Sequence, residues 1–162
     1  MKIRIGQGWD RHVLVEGRPC VLGGVLFNEC SVGPLGHSDG DALTHALIDA
    51  LLGAAGLGDI GGLFPDTDPR WSGADSLDLL ARAWRLVQGK SYRIENVDCT
   101  IITELPKISP RAEAMREKLA AVLEVPSDQL SIKATRGEGV GPEGRGECIT
   151  AMVVVLLSTG MN

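Results

Sequence analysis

Aromatic residues are scarce in this chain: three tryptophans, one tyrosine and two phenylalanines among 162 residues. So few π-faces exclude a base-stacking platform for single-stranded nucleic acid. No apolar run approaches the ~20 residues that a membrane-spanning helix needs. The first residues, Met1-Lys2-Ile3-Arg4-Ile5, carry no apolar segment of the secretory kind. Positive charge is in deficit, 16 Lys and Arg against 21 Asp and Glu, for a net charge of −5. That balance argues against a nucleic-acid or anionic-membrane surface, while leaving single basic groups free to grip phosphates. The four cysteines, Cys20, Cys30, Cys99 and Cys148, form no C-x-x-C pair. They read as free thiols of a reducing cytoplasm rather than as disulfides or a zinc–sulfur site.

Histidine is equally sparse, and its placement is informative. All three histidines fall within the first 45 residues: His12 closes Asp10-Arg11-His12, His37 opens His37-Ser38-Asp39-Gly40-Asp41, and His45 lies one helical turn past Asp41. Imidazole is the commonest neutral metal ligand, and a nearby carboxylate adds the charge that a divalent cation wants. Asp10, His12 and His45 would make a three-ligand zinc site with one position open, the catalytic rather than the closed structural pattern. In extended backbone, residues two apart project to one side, so Asp10 and His12 can reach a single ion. A solvated strand end is the plainer alternative for those two.

With 44% hydrophobic and 23% charged residues, the chain predicts one globular domain over 1–162. Ile3–Trp9 reads as a strand delivering Asp10 and His12 at its end, and 20–27 as a hairpin broken at Gly23-Gly24. From Asp39 the pattern turns helical, with Leu43, Leu47, Ala50, Leu51 and Ala54 as an apolar stripe. Ser38 or Asp39 caps its start, and Gly56 or Gly58 ends it. Asp41, His45 and Asp49 share a polar stripe, which makes Asp49 a candidate for fixing the His45 tautomer.

The stretch from Gly58 to Gly73 reads as a long irregular loop. Helices follow from Asp75-Ser76 and from Ser109-Pro110, with strands over 92–103, 130–135 and 148–157. The last strand is nearly all apolar and therefore central or covered on both faces. Strands and helices alternate without repeats, giving an α/β (α+β) fold with a single, mostly mixed sheet backed by helices on one face.

Further residue sets carry possible chemistry beside plain alternatives. His37 and Ser38 stand before a helix start, where backbone N–H groups favour anions; a simple cap explains Ser38 as well. Gly58-Asp59-Ile60-Gly61 and Phe64-Pro65-Asp66-Thr67-Asp68 place carboxylates on rigid turns, suited to polyol hydroxyls or explained by turn chemistry alone. The loop from Arg136 to Glu147 mixes glycines with two arginines and three glutamates; it can wrap a phosphate, though it is not a P-loop. Lys107 is a candidate phosphate or base contact.

Taken in order, several strings resemble one family. Gly8-Trp9-Asp10-Arg11-His12, Gly36-His37-Ser38-Asp39-Gly40-Asp41, the run from Ala46 to Gly53, Leu57-Gly58-Asp59-Ile60-Gly61, Phe64-Pro65-Asp66-Thr67-Asp68-Pro69 and Asn96-Val97-Asp98 are similar to the 2-C-methyl-D-erythritol 2,4-cyclodiphosphate synthases. These are the cyclising enzymes of non-mevalonate isoprenoid (terpenoid) biosynthesis. The resemblance runs from Arg4 to Glu147.

It implies a cytoplasmic, metal-dependent lyase that closes the cyclic diphosphate of 4-diphosphocytidyl-2-C-methyl-D-erythritol 2-phosphate and releases CMP. It implies zinc on Asp10, His12 and His45, and magnesium or manganese on Glu138 with the substrate phosphates. Erythritol and phosphate contacts carry over to His37, Ser38, Asp59, Ile60, Gly61, Phe64, Pro65, Asp66, Thr67 and Asp68. The cytidine pocket carries over to Thr103, Lys107, Ile108, Ala134 and Thr135. His37 and Arg136 are carried over as catalytic, and Arg145 as a substrate contact. The resemblance further implies a homotrimer, its sheets packed around a central axis, with active sites between subunits that bring His12 and Lys107 together from different chains.

Three positions depart from the family's usual residues. Arg11 replaces a small apolar residue, Arg136 a threonine at the phosphates, and Pro142 an aromatic residue beside Arg145 near the trimer channel. Arg136 either donates more strongly to phosphate or folds away, and Pro142 leaves open an isoprenoid diphosphate in the channel. Two other readings compete: a zinc phosphohydrolase giving linear products, and a metal-stabilised trimeric binder of nucleotides or isoprenoid diphosphates without turnover.

Overall fold

The computed structural model describes residues 1–160. In chain order the strands and helices are β1 (Ile3–Glu16), β2 (Val21–Leu22), β3 (Val25–Leu26), β4 (Val32–Pro34), α1 (Ala42–Ala55), α2 (Ile60–Leu63), α3 (Ser76–Gln88), β5 (Tyr92–Ile102), α4 (Ala112–Leu123), β6 (Leu130–Thr135), α5 (Gly141–Gly144) and β7 (Cys148–Thr159). Five strands make one mixed sheet in the order β4-β1-β7-β5-β6, and β2 and β3 form a separate hairpin. β7 runs antiparallel to both β1 and β5, whereas β5 and β6 are parallel and joined through α4. Helices α1, α3 and α4 pack on one face, as the sequence predicts.

β1 is longer than its apolar alternation suggests. Asp10, Arg11 and His12 interrupt that alternation, yet pairing with β7 continues to Val13↔Cys148, so Asp10 and His12 stand inside the strand rather than at its end. β7 is central, and Ile149, Ala151, Val153, Val155 and Leu157 are buried under the helices, whereas Met152 and Val154 look out from the uncovered face. Ile3, Ile5, Trp9 and Val13 of β1 join them there, so this chain leaves an apolar strip between 38% and 72% exposed per residue. The 58–73 stretch is also more regular than expected, containing α2 and a 3₁₀ turn at Pro69–Trp71.

The seat of α1 on β1 depends on two glycines. Gly6 and Gly8 face the helix, and a Cβ on either would sit 1.9 Å from the Ala50 carbonyl oxygen or 1.7 Å from that of Ala46. Ala46, Ala50 and Ala54 recur at the helical four-residue spacing and line the helix side of the contact. With no side chain between them, helix and strand approach backbone to backbone. The helix is buried almost all round, not along one stripe.

Its N-cap is Asp41 rather than Ser38 or Asp39, and its C-cap is Gly56 in the left-handed conformation (φ 69°). Asp41 is completely buried. Its carboxylate accepts from Gly23 N (2.9 Å), Gly24 N (2.8 Å), Thr44 N (3.0 Å) and Thr44 Oγ1 (2.7 Å). Burial pushes this carboxyl up, against the pull of those donors. Of the expected polar stripe, Asp41 and His45 are buried and Asp49 is half-buried.

Gly8→Ala is expected to force α1 off the strand, at a cost of about 3 kcal/mol or more. Gly53→Ala adds a Cβ with nothing within 4 Å, and should stabilise by about 0.5–1 kcal/mol through helix propensity. Urea unfolding of the two variants measures both.

Candidate functional site

Past Gly6 and Gly8 the same face of β1 presents Asp10 and His12, where α1 brings His45 over the strand. His12 Nε2 lies 2.8 Å from Asp10 Oδ2, and His45 Nδ1 lies 3.1 Å from that same oxygen. The two imidazole nitrogens are 3.1 Å apart. His12 Nδ1 is 2.8 Å from the Leu35 carbonyl oxygen, which only accepts, so that nitrogen carries a hydrogen. Neutral His12 then turns a lone pair toward the Asp10 carboxylate. Electron pairs converging in this way require a proton or a cation between them. Among the described residues these three form the one group of metal-capable side chains, with ligand atoms within 4.8 Å of one another. One carboxylate and two imidazoles with room for a fourth ligand suit a catalytic zinc or similar ion.

Titration follows the geometry. Burial works to raise the Asp10 carboxyl, but the adjoining His12 and His45 rings outweigh it and hold Asp10 well below the usual carboxylate range. Burial likewise works to lower His12, and Asp10 overrides it, raising the imidazole above its ordinary 6.5.

The partner expected for His45 is not the one found. Asp49 accepts from Ile60 N (2.7 Å), tying α2 to α1, and makes no bond to the imidazole. Burial first, then the Asp59 and Asp10 carboxylates, push its own carboxyl up. His45 Nε2 points the other way, to Ser76 Oγ at 2.8 Å and Ser38 Oγ at 3.0 Å. Ser38 is buried and is not the helix cap; its hydroxyl lies against His45.

A cavity of about 370 Å³ opens over the cluster, lined by Asp10, His12, His37, Ser38, His45, Ile60, Gly61, Phe64, Pro65 and Asp66. Trp71 and Leu79 complete the lining and were not among the predicted contacts. Trp71 packs edge-to-face on Phe64 at 5.0 Å, so only the tertiary fold marks it. Asp59, Thr67 and Asp68 do not line it: Asp59 caps α2 through Gly62 N (2.8 Å), and Asp68 is engaged with Arg70.

A second cavity of about 520 Å³ gathers Thr103, Lys107, Ile108, Ala134, Thr135, Arg136 and Glu138, all predicted. Glu104, missed in the sequence, lines it too, and its Oε1 accepts from Glu138 N at 2.6 Å, holding that loop. Glu138 itself adopts a left-handed backbone (φ 51°) and is exposed. Arg145 lies outside both cavities, paired with Glu147 at 2.7 Å. The two cavities share no residue. Sheet register puts His12 level with Ile149 while the adjacent Thr150 pairs with Ile102 and Ile102 with Thr135, three strand spacings or roughly 14 Å. One chain therefore does not bring His12 and Lys107 into one cavity.

Fold and site define a mixed α/β protein with a candidate open metal centre and a separate polar cleft. Comparison sharpens the class: the chain belongs to the YgbB family, whose model matches residues 3–158. It is 54% identical over 156 residues to the 2-C-methyl-D-erythritol 2,4-cyclodiphosphate synthase of Synechococcus elongatus, covering 96% of this chain and 97% of that one. A synthase of the same name, solved in a CDP-bound form, is 43% identical with a TM-score of 0.87, covering 96% of this chain and all of that one. The bifunctional IspDF from Campylobacter jejuni is 38% identical with a TM-score of 0.94; 98% of this chain is covered, and the chain spans 43% of that longer protein. No helix among the described residues is long and apolar enough to cross a membrane.

The Asp10–His12 pair has a defined pH window. The depressed Asp10 contributes stability above 3.8 that is lost as pH falls through its folded value; the raised His12 contributes below 6.5 and loses it as pH rises through its own. Asp10→Asn should lower the His12 pKa, followed by NMR titration. The stability gap to the unsubstituted protein should be widest between 3.8 and 6.5.

Proposed function

We propose that this chain, as a single domain over 1–162, converts 4-diphosphocytidyl-2-C-methyl-D-erythritol 2-phosphate to 2-C-methyl-D-erythritol 2,4-cyclodiphosphate and CMP. It is a cyclising phosphorus–oxygen lyase of non-mevalonate isoprenoid synthesis, working in the cytoplasm. The observation that carries this is the convergence of Asp10, His12 and His45 at the mouth of the 370 Å³ cavity, in a chain belonging to this family.

In the reaction an oxygen of the substrate's 2-phosphate forms a bond to the β-phosphorus. The bond from that phosphorus to the α–β bridging oxygen breaks, and its electron pair leaves with CMP. The nucleophile is already anionic, so positioning and charge neutralisation do the work rather than a strong base. Asp10, His12 and His45 would hold zinc, and Glu138 magnesium or manganese with the phosphates; bound there, the ions supply Lewis-acid polarisation and neutralise the diphosphate.

His37 and the backbone around Ser38 orient the 2-phosphate and polyol end. Asp66 accepts from the erythritol hydroxyls, while Ile60, Gly61, Phe64 and Pro65 form a wall that keeps water from the β-phosphorus. Thr103, Ile108, Ala134 and Thr135 seat the cytidine. Lys107 and Arg136 place positive charge beside the departing CMP. Asp59, Thr67 and Asp68 serve the turns that shape the cleft.

The reading includes a homotrimer in which one protomer's metal-bearing cavity meets its partner's nucleotide cavity. Two features support it: a single chain keeps the half-sites apart, and the sheet face bearing Ile3, Ile5, Trp9, Val13, Met152 and Val154 is apolar and bare.

Purified protein given substrate, Zn²⁺ and Mg²⁺ should release CMP and show the cyclic diphosphate by ³¹P NMR. His45→Ala should lose about 100-fold or more in rate. Linear phosphate products, nucleotide binding without turnover, or full activity in His45→Ala would overturn the reading.

A further inference from the structure

We infer that Ser76, held by Asp39, is the positioning residue that sets the His45 tautomer, so that Nδ1 presents its lone pair beside Asp10 and His12; this rests on the metal-centre reading above. Ser76 opens α3 and is fully buried, 31 residues from His45 in sequence. Its hydroxyl donates to Asp39 Oδ1 in a short hydrogen bond, and its backbone N–H donates to Asp39 Oδ2 at 2.9 Å. Asp39 is itself anchored: Oδ1 also accepts from Asp41 N at 3.1 Å, and its own N–H donates to the Ala74 carbonyl at 3.2 Å.

A hydroxyl has one hydrogen. With that hydrogen on the Asp39 carboxylate, Ser76 Oγ offers only lone pairs to His45 Nε2, 2.8 Å away. Nε2 must then carry the ring hydrogen, leaving Nδ1 as the electron-pair donor. The opposite pull comes from Asp10, whose Oδ2 lies 3.1 Å from Nδ1 and favours a hydrogen there. Ser38 adds to that pull: its Oγ is 3.0 Å from Nε2 and can donate to it once Nε2 is bare. His45 thus sits between two carboxylates, Asp10 acting directly and Asp39 through one hydroxyl. Only the Asp39 side leaves a metal-binding lone pair in the cluster. Outer partners that hold an imidazole ligand this way typically change metal affinity by about 10–100-fold when removed.

The test uses the full chain, with zinc alone as the probe. Long-range ¹H–¹⁵N spectra of neutral His45 report its tautomer, and competition with a chromophoric chelator reports zinc affinity. The expected result is an Nε2–H His45 in the unsubstituted protein. Ser76→Ala, which keeps the backbone N–H to Asp39, should move the hydrogen toward Nδ1 and weaken zinc binding by about 10-fold or more; Ser76→Thr should restore both. Asp39→Asn exchanges an acceptor for a donor at nearly constant shape and should act in the same direction, should Ser76→Ala fold poorly. An Nδ1–H His45 in the unsubstituted protein, or weakened zinc binding with the tautomer unchanged, would overturn the inference, as would a Ser76→Ala protein unchanged in both. Failure of the zinc-loaded, unsubstituted protein to release CMP would instead overturn the proposed function and leave the tautomer result standing.

Discussion

The candidate centre depends on a contact made without side chains. Where Gly6 and Gly8 face Ala46 and Ala50, the α1 backbone rests on the β1 backbone, and the separation of strand and helix is set by peptide groups alone. Two residues beyond Gly8 on β1 and one residue before Ala46 on α1, that separation becomes the gap between Asp10, His12 and His45. Close-packed interiors transmit such displacements because they have little free volume to absorb them. An extra methyl at Gly8 is therefore as much a change to the ligand cluster as to the core.

Electrostatics then act within this fixed frame. Asp10 is partly buried beside two imidazoles, and its depressed titration records how strongly the anion is wanted there. Positive charge at that point is supplied by a proton on His12 or by a cation. The same demand that stabilises the folded chain in mild acid prepares the cluster to exchange a proton for a metal. Around the centre, serine hydroxyls rather than further carboxylates contact His45, which keeps the pocket from accumulating negative charge where a phosphorylated ligand would enter.

The sequence made some of this readable and concealed the rest for definite reasons. The period-2 spacing of Asp10 and His12 and the helical run around His45 pointed to the cluster, because both are local patterns. The 103–108 and 134–138 segments were assigned by resemblance, and they do share one cavity. Asp49 was misassigned because a four-residue spacing says which residues share a helix side, not which way an imidazole turns. His45 Nε2 turns toward Ser76 on α3, a contact 31 residues distant that no local period encodes. Glu104 was missed because its partner, Glu138 N, lies 34 residues away, and Trp71 because it sits in a segment read as an irregular loop. β1 was cut short because polar ligands inside a strand look like a strand end.

Asp41 carries a consequence of its own. Its buried carboxylate joins the Gly23-Gly24 turn to the first turn of α1, so the starting point of the helix is dictated by a hairpin that touches no ligand. Helical phase counts from its first residue, and His45 comes four residues after that cap. The β2–β3 hairpin thus acts as a gauge for the direction in which His45 points. Drift in that small turn would be felt as mistuned chemistry before it was felt as lost structure.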